Sequence, residues 1–364
     1  MKWPFRKSGL PPPQDNPAIA GEAHASLVAD MLRALPDPAV VVDSGGTVII
    51  ANDQARAALD RDPVGHHLSA TIRAPAVLDA VKAAIAGEAP RQVEFELRMP
   101  VPRTFDIYVS PFGKFSGSGP AAVMIFKDLT REQQIERMRA DFVANASHEL
   151  RTPLASISGF IETMQGAAKN DETARGKFLG LMRTQAERMR RLIDDLLSLS
   201  RIEINEHVRP TTAVDLAQIA RVVSDSLEAM ARQQGCEVSL DLPKSLPVTG
   251  DWDELIQVVQ NLVENALKYA SAGKLIEIGG ARGEEYVELI IRDHGPGIAP
   301  EHIPRLTERF YRVSVQESRS RGGTGLGLAI VKHILNRHRG RLIVSSEPGQ
   351  GSSFTIRVPA SNMQ

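Results

Sequence analysis

Two stretches in the middle of the chain carry apolar side chains at the spacing of a long amphipathic helix. A polar segment over residues 168–173 separates them. The apolar positions are Ile135, Met138, Phe142, Ala146, Leu150, Ile157, Ile161 and Met164 in the first stretch, and Phe178, Met182, Met189, Leu192, Leu196 and Leu199 in the second. Two long helices joined by a short loop predict an antiparallel hairpin, which has too little core to stand alone. We therefore expect a homodimer in which two hairpins form a four-helix bundle.

The region before the hairpin mixes short strand patterns with short helical ones. Helical patterns cover residues 23–35, 53–59 and 76–85, and strand patterns cover residues 39–42, 47–50, 93–98, 104–110 and 121–127. The first two strand patterns flank a turn that contains Gly45 and Gly46, which is a hairpin signal. This order predicts a small α+β domain over residues 23–128, preceded by a flexible proline-rich leader over residues 1–22.

The region after the hairpin also alternates between helical and strand patterns. Helical patterns cover residues 216–233, 252–269 and 324–337, and strand patterns cover residues 237–242, 275–279, 286–293, 341–346 and 352–358. Helices on one face of a mostly antiparallel sheet are the layering that we expect. The domain boundaries therefore become 129–207 for the hairpin and 208–364 for a second mixed domain.

Composition narrows the class of protein. The 364 residues include 42% hydrophobic and 24% charged positions, which is typical of a folded chain with two or three domains. The net charge of −1 offers no electrostatic reason to expect a nucleic-acid partner. The single cysteine, Cys236, excludes an intramolecular disulfide and suits a reducing compartment. No apolar run reaches the length of a membrane span, and no signal peptide precedes the first domain.

A histidine-centred motif lies within the first helix of the hairpin, at Ser147-His148-Glu149-Leu150-Arg151-Thr152-Pro153-Leu154. His148 and Thr152 are four positions apart and share a helix face. Glu149 can reach the imidazole or a bound substrate, and Pro153 is expected to kink the helix just after the motif. The motif suits a nucleophilic histidine, although a surface histidine on a helix is more often without function.

The second mixed domain carries three further polar or glycine-rich segments. One helix holds Asn261, Asn265, Lys268 and Tyr269 on a shared face, where amide oxygens suit Mg²⁺ and a lysine suits phosphate. Residues 293–297 (Asp-His-Gly-Pro-Gly) follow a strand, and their glycines would let a nucleotide approach the backbone. Residues 322–328 (Gly-Gly-Thr-Gly-Leu-Gly-Leu) run into a helix whose amides can cradle phosphate. Each segment alone also fits an ordinary polar helix face or glycine turn.

In this order, the segments resemble the sensor histidine kinases of two-component systems. The matching boxes are residues 142–154, 261–269, 293–297, 310–312 and 322–328, so that the resemblance covers about residues 130–360. The first domain is similar to PAS domains, notably at residues 35–40 and 50–52. The whole looks most like kinases of the phosphate-regulon sensor type, which usually carry N-terminal membrane segments that this sequence lacks. Because this sequence contains no such segment, we expect the protein in the cytoplasm, or at the inner face of the membrane if an anchor lies outside this sequence.

The resemblance implies a multidomain α+β fold: a PAS domain, a hairpin that forms a dimeric four-helix bundle, and a Bergerat-type (GHKL) α/β-sandwich domain that binds ATP and Mg²⁺. In it Asp293 binds the adenine amino group and Asn265 holds the metal. Residues 299–324 form a mobile lid that carries Arg309, Arg312, Arg319 and Arg321. The implied nucleotide site comprises Asn261, Asn265, Lys268, Tyr269, Asp293, Gly295, Gly297, Ile298, Phe310, Arg312, Gly323, Thr324, Gly325, Leu326, Gly327 and Leu328.

The resemblance further implies that His148 attacks the γ-phosphate, that Glu149 orients the imidazole or accepts its proton, and that the phosphoryl group passes to an aspartate of a response regulator. Thr152 then positions water for dephosphorylation of that regulator. Two alternatives stay open: a catalytically degenerate dimeric scaffold, and an ATPase of the same superfamily with Glu264 as the base.

The sensor role of the first domain stays open as well. A flavin–cysteine adduct is excluded there because Cys236 lies far outside it. Haem ligation by His66 or His67 remains possible, although loop histidines are more often solvated.

Overall fold

The computed structural model describes residues 26–97, 102–114, 119–269, 275–313 and 323–361. The predicted leader, most of the predicted loop at 115–120 and lid residues 314–322 lie outside this part of the chain. The chain forms two compact units, of which the first ends at Asp141 and the second begins at Phe142. No helix in the described ranges combines the length and apolar character that crossing a bilayer requires.

The first unit is built on an antiparallel five-stranded sheet with the order β2-β1-β5-β4-β3. Its elements are α1 (26–33), β1 (Ala39–Val42), β2 (Val48–Ala51), α2 (Asp53–Ala58), α3 (Pro75–Ile85), β3 (Arg91–Leu97), β4 (Arg103–Lys114) and β5 (Pro120–Asp128). All five predicted strands are confirmed, with β4 longer than its apolar pattern because it continues past Pro111.

The two faces of this sheet bury different side chains. Along β1, Val40 and Val42 point into a core with α2 and α3, where Phe105 and Phe126 meet edge to face at 5.9 Å. Ala39 and Val41 point the other way, into a smaller cluster that includes Leu32 of α1. The β1 strand is therefore buried on both faces, which explains its unbroken apolar sequence.

Asn52 ties these layers together from a buried position. Its Oδ1 accepts hydrogen bonds from the backbone N–H groups of Ala39 and Ala55, both at 2.9 Å. Its Nδ2 donates to the carbonyl oxygens of Leu32 at 3.1 Å and Asp37 at 2.8 Å. All four hydrogen-bonding positions of the amide are used, so this side chain fixes the turn between α1 and β1 against the start of α2.

The predicted helical hairpin is confirmed, with α4 over Thr130–Gln165 and α5 over Glu172–Asn205. Asp171 begins α5 as an N-cap, accepting from the N–H of Ala174 at 2.9 Å. Near the loop, Phe160 stacks on Phe178 with ring centroids 5.5 Å apart. In the single chain only Pro153, Leu192, Leu199 and Ile202 of these helices are buried, so most of the predicted apolar positions stay half-buried or exposed.

The rest of the second unit contains a five-stranded sheet with the order β11-β12-β10-β9-β7. Its elements are β6 (Ala213–Asp215), α6 (Leu216–Gln233), β7 (Glu237–Asp241), β8 (Pro247–Thr249), α7 (Trp252–Tyr269), β9 (Leu275–Arg282), β10 (Tyr286–Asp293), α8 (Gly327–Arg337), β11 (Arg341–Glu347) and β12 (Gly351–Pro359). Only the β7–β9 pair is parallel among the pairs described, which agrees with the expected mostly antiparallel sheet. The short pair β6–β8 was not predicted, because three residues are too few to show an alternation.

One face of this sheet is covered by helices. Along β10, Val287, Leu289 and Ile291 are buried while the intervening side chains are not, which is the pattern of a sheet covered on one side. Leu192, Leu199 and Ile202 of α5 join the same core, so the hairpin and the sheet domain share apolar packing within the second unit.

Candidate functional site

A cleft of about 420 Å³ opens at one end of the sheet domain, a size typical of small-molecule sites. It lies between the polar face of α7, the segment after β10, and the turn that precedes α8, and α5 closes one side. The described residues that line it are Arg191, Asp194, Asp195, Gln257, Gln260, Asn261, Glu264, Asn265, Lys268, Tyr269, Asp293, Pro296, Gly297, Ile298, Leu306, Tyr311, Arg312, Val313, Gly323, Thr324, Gly325, Gly327, Leu328, Ser352 and Phe354.

The polar face of α7 supplies one wall. Its apolar face is buried in the core at Leu255, Val258, Val259, Leu262, Val263, Ala266 and Leu267. The helical period therefore turns Asn261, Asn265, Lys268 and Tyr269 toward the cleft together. Burial alone would raise the pKa of Glu264, but the charge of Lys268, 3.0 Å away, and a hydrogen bond from Gln260 hold that pKa below its ordinary value.

Asp293, the last residue of β10, lies at the bottom of the cleft and is only 4% exposed. Its Oδ1 accepts from the N–H of Gly295 at 2.9 Å, and burial raises the pKa of its carboxyl despite that hydrogen bond. Gly297 has φ +71°, and a Cβ there would lie 2.0 Å from the carbonyl oxygen of Glu347. The glycine is thus required by the neighbouring β11–β12 turn, whereas the sequence suggested close approach of a ligand.

The turn before α8 lies against the segment around Phe310. Gly325 has φ +77°, its carbonyl accepts from the N–H of Phe310 at 2.8 Å, and a Cβ on it would lie 2.9 Å from Phe310 Cα. Gly327 faces Asn261, whose Oδ1 would lie 2.7 Å from an added Cβ. The helix begins at Gly327 and not at Thr324 as predicted, because residues 323–326 form this turn.

Side chains of α5 line the cleft, which sequence reasoning missed. Arg191, Asp194 and Asp195 face it, and the hydroxyl of Thr324 donates to Asp195 Oδ2 at 2.7 Å. Burial raises the pKa of Asp195, and the hydrogen bond from Thr324 only partly opposes this. The three residues lie on one polar stripe of α5, but nothing local indicates which partner that stripe meets.

The histidine motif of α4 reaches the same neighbourhood through Glu149. His148 is exposed, and the hydroxyl of Thr152 donates to the His148 carbonyl at 3.2 Å. Glu149 Oε2 accepts from Arg188 Nη2 at 2.9 Å and from Arg312 Nη2 at 3.0 Å. Because Arg312 Nη2 also donates to the Thr324 carbonyl at 2.8 Å, the residue beside His148 is linked to the turn of the cleft.

Aromatic packing brings the same two regions together. Phe310, which has φ +63°, packs its ring 5.9 Å from that of Phe142 on α4. The guanidinium of Arg309 lies over the Phe142 ring at 5.1 Å. This contact and the Glu149–Arg312 pair hold the segment over 309–312 against α4.

Three residues of the predicted nucleotide set do not line the cleft. Gly295 donates to Asp293, Phe310 packs on Phe142, and Leu326 is fully buried in the core. The other thirteen lie in its wall. The part of the chain that the structure describes contains no group of three or more His, Cys, Asp or Glu side chains that could hold a metal ion.

The two histidines considered for haem lie in an exposed loop of the first unit. His66 Nδ1 lies 3.1 Å from the Val64 carbonyl, and His67 Nδ1 lies 2.7 Å from Ser69 Oγ. Both imidazoles therefore contact the loop that carries them.

The cleft has features that fit a ligand that carries both an anionic group and an amino group. Arg312 Nε is buried and has no hydrogen-bond partner among the described residues. The glycine turn over 323–327 leads into the N-terminus of α8, where free amides favour phosphate. Asp293, at the bottom, offers a buried carboxylate to an amino group.

Three family models match the chain. They are the PAS fold over residues 32–134, the His Kinase A (phospho-acceptor) domain over residues 138–205, and the histidine kinase-, DNA gyrase B-, and HSP90-like ATPase over residues 250–362.

Curated relatives match over longer stretches. The phosphate regulon sensor protein PhoR of Pseudomonas aeruginosa is 42% identical over 64% of this chain and 53% of its own length. The sensor-like histidine kinase SenX3 of Mycobacterium tuberculosis is 38% identical over 66% of this chain and 58% of its own length. A sensor protein kinase WalK of Staphylococcus aureus is 31% identical over 93% of this chain and 82% of its own length. The chain thus spans little more than half the length of the first two proteins.

Proposed function

This chain belongs to the PAS-containing sensor histidine kinases, and on that premise we propose that it phosphorylates its own His148 from ATP. The observation that carries this proposal is the link between the cleft and the histidine motif. One arginine, Arg312, lines the cleft and also binds Glu149, the neighbour of His148. A nucleotide in the cleft would therefore have its phosphates on the side that faces the phosphoacceptor helix.

The side chains of the cleft divide into a base end and a phosphate end. Asp293 would accept a hydrogen bond from the adenine amino group. Lys268, the turn over 323–327 and the unpartnered Nε of Arg312 would bind the phosphates. Asn265 would hold Mg²⁺ with Asn261 nearby, since this ion takes few protein ligands and binds mainly water and phosphate oxygens.

The reaction places most of its demands on positioning and charge. A nitrogen of His148 forms a bond to the γ-phosphorus, the bond from phosphorus to the β,γ-bridging oxygen breaks, and ADP leaves with that electron pair. When bound, Mg²⁺ neutralises charge on the transferring group. Arg312 adds a positive charge, and Glu149 orients the imidazole or accepts its proton.

The second half of the proposed activity uses the same exposed face of α4. The phosphoryl group passes from His148 to an aspartate of a response-regulator receiver domain, which the exposed position of His148 permits. Thr152, one turn further along, would orient water for hydrolysis of the regulator's acyl phosphate. Its hydroxyl needs only a rotation about χ1 to leave the backbone carbonyl that it now binds.

A homodimer through the hairpin is part of the proposal. The hairpin leaves large apolar side chains exposed on both helices, among them Val143, Leu154, Leu179 and Leu197. A hairpin from a second copy would cover such side chains, as in four-helix bundles. These exposed apolar side chains therefore support a dimeric bundle.

Transfer of label from Mg-[γ-³²P]ATP tests the proposal. The wild-type chain is expected to become labelled, and His148→Gln is expected to remain unlabelled. The matched control is His207→Gln, because His207 is exposed on the same hairpin domain but lies outside the motif. Label on His148→Gln equal to that on the control would refute the assignment.

The superfamily ATPase alternative is less well supported by the contacts of its proposed base. Glu264 lines the cleft, but its carboxylate is bound by Lys268 and Gln260. A water-activating base would need at least one of these contacts to open. Turnover of ATP without label on the protein would favour that alternative.

A further inference from the structure

Arg188 on α5 belongs to none of the motifs that the sequence singles out, yet it binds the residue beside His148. Its Nη2 lies 2.9 Å from Glu149 Oε2, and its side chain is only 13% exposed. The side chain of Glu149 is 15% exposed, and that of Arg312, the second arginine on the same oxygen, is 5% exposed. Two guanidinium groups and one carboxylate thus form a largely buried cluster.

The two arginines are anchored in different ways. Arg188 comes from α5, which packs beside α4 in the hairpin. Arg312 lines the cleft and donates to the carbonyl of Thr324, so its position depends on the turn before α8. Arg188 is therefore the partner of Glu149 within the hairpin, and Arg312 is the partner that belongs to the cleft.

A buried carboxylate needs a compensating charge at all times. When Arg312 turns its guanidinium toward a phosphoryl group, Glu149 loses one of the two guanidinium contacts that the described residues give it. Arg188 can then keep the carboxylate paired and in place beside His148. Without Arg188, the carboxylate would draw Arg312 more strongly away from the phosphoryl group and would lose a contact that fixes its own position.

We propose that Arg188 is a positioning residue for phosphoryl transfer, which holds Glu149 in place and so frees Arg312 for the transferring group. This inference rests on the proposed histidine kinase function. Arg188 does not line the cleft, so its effect should fall on the rate of transfer and not on the binding of ATP.

The test compares three variants of the full chain in the labelling assay. Arg188→Gln should lower kcat by about 10-fold or more and leave KM for ATP within about twofold, as expected for an interaction that matters in the transition state. Arg188→Lys should recover part of the rate, since lysine keeps the charge but not the planar fork. Arg183→Gln is the matched control, because Arg183 lies on the same helix with its side chain 81% exposed. It should behave as wild type.

A double-mutant cycle separates positioning through Glu149 from general damage. If Arg188 acts through Glu149, Arg188→Gln should slow the Glu149→Gln variant no further. Independent losses that multiply, a rise in KM equal to the fall in kcat, or an unchanged kcat would each overturn the inference.

A second double-mutant cycle, measured by thermal unfolding, reports on the Arg188–Glu149 pair independently of kinase activity. Coupling between Arg188 and Glu149 is expected there too. If the wild-type chain carries no label on His148, the proposed function fails. If the chain is labelled but the two residues are coupled only in unfolding, Arg188 has a structural role and not a positioning role. Label on wild type with no coupling in either cycle would refute the positioning role and leave the kinase intact.

Discussion

Gly325 is the position where one added methyl group should disable the cleft without unfolding the domain. Its φ of +77° is strained for any residue with a Cβ, and that Cβ would lie 2.9 and 3.0 Å from Phe310 Cα and C. The backbone strain costs about 1–2 kcal/mol, and overpacking adds about 1–3 kcal/mol. A ligand that needs the native turn must restore it against this cost. A penalty of about 2 kcal/mol already weakens binding about 30-fold.

The control for Gly325→Ala is Gly235→Ala. Gly235 has φ +68°, but an added Cβ there meets nothing within 4 Å, and the residue lies outside the cleft. Both variants should unfold at lower temperature, and only Gly325→Ala should lose affinity in a calorimetric titration with Mg-ATP. Equal affinities in the two variants would refute the argument that contact with Phe310 holds the turn in its binding geometry.

Three further predictions concern other parts of the chain. Burial lowers the pKa of His338 below 6.5, while its Nδ1 lies 2.8 Å from the Ile334 carbonyl and its Nε2 accepts from Asp251 N–H. The folded state therefore favours the neutral imidazole, so the stability that His338 contributes is complete above pH 6.5 and is lost as the pH falls below it. The unfolding temperature of His338→Leu should depend less steeply on pH between 5 and 8 than that of the wild-type chain. An equally steep dependence would contradict this role of His338. Asn52→Ala removes four hydrogen bonds and should lower the free energy of unfolding by about 2–4 kcal/mol. The loss should be seen as faster hydrogen exchange over residues 39–55, whereas the control Asp53→Ala should change that exchange little. Thr152→Ala should keep autophosphorylation and lose phosphatase activity toward the regulator; equal phosphatase rates would count against the role of Thr152.

The elements that the sequence predicted well are those with long periodic patterns. The hairpin helices, α6 and α7 each carry several turns of amphipathic spacing, and burial alternates along the whole length of β10. The pair β6–β8 escaped prediction because each strand has three residues. The start of α8 was placed three residues early, because glycine-rich turns and first helical turns look alike in sequence.

The candidate site was predictable where one element supplies neighbouring residues. Asn261, Asn265 and Lys268 share a face of α7, so their common exposure to the cleft follows from the helical period. The approach of α5 to the cleft was not predictable, because Asp195 and Thr324 are 129 positions apart in the chain. The same holds for Arg312 and Glu149, which only the tertiary fold brings together.

The glycines show how a correct expectation can rest on an incomplete reason. Gly297 was expected to let a ligand approach the backbone, and it does line the cleft. Its missing Cβ is already explained by the Glu347 carbonyl, which occupies that space. The requirement is therefore set by a strand turn that lies 50 residues further along the chain.

Location of the phosphoryl group by mass spectrometry tests the central claim most directly. The wild-type chain would be incubated with Mg-ATP, kept at alkaline pH to preserve phosphohistidine, and digested for peptide mapping. Phosphate on the peptide that contains His148, at that residue, is the predicted result. Phosphate on another residue, or release of inorganic phosphate from ATP with no phosphopeptide, would contradict the account.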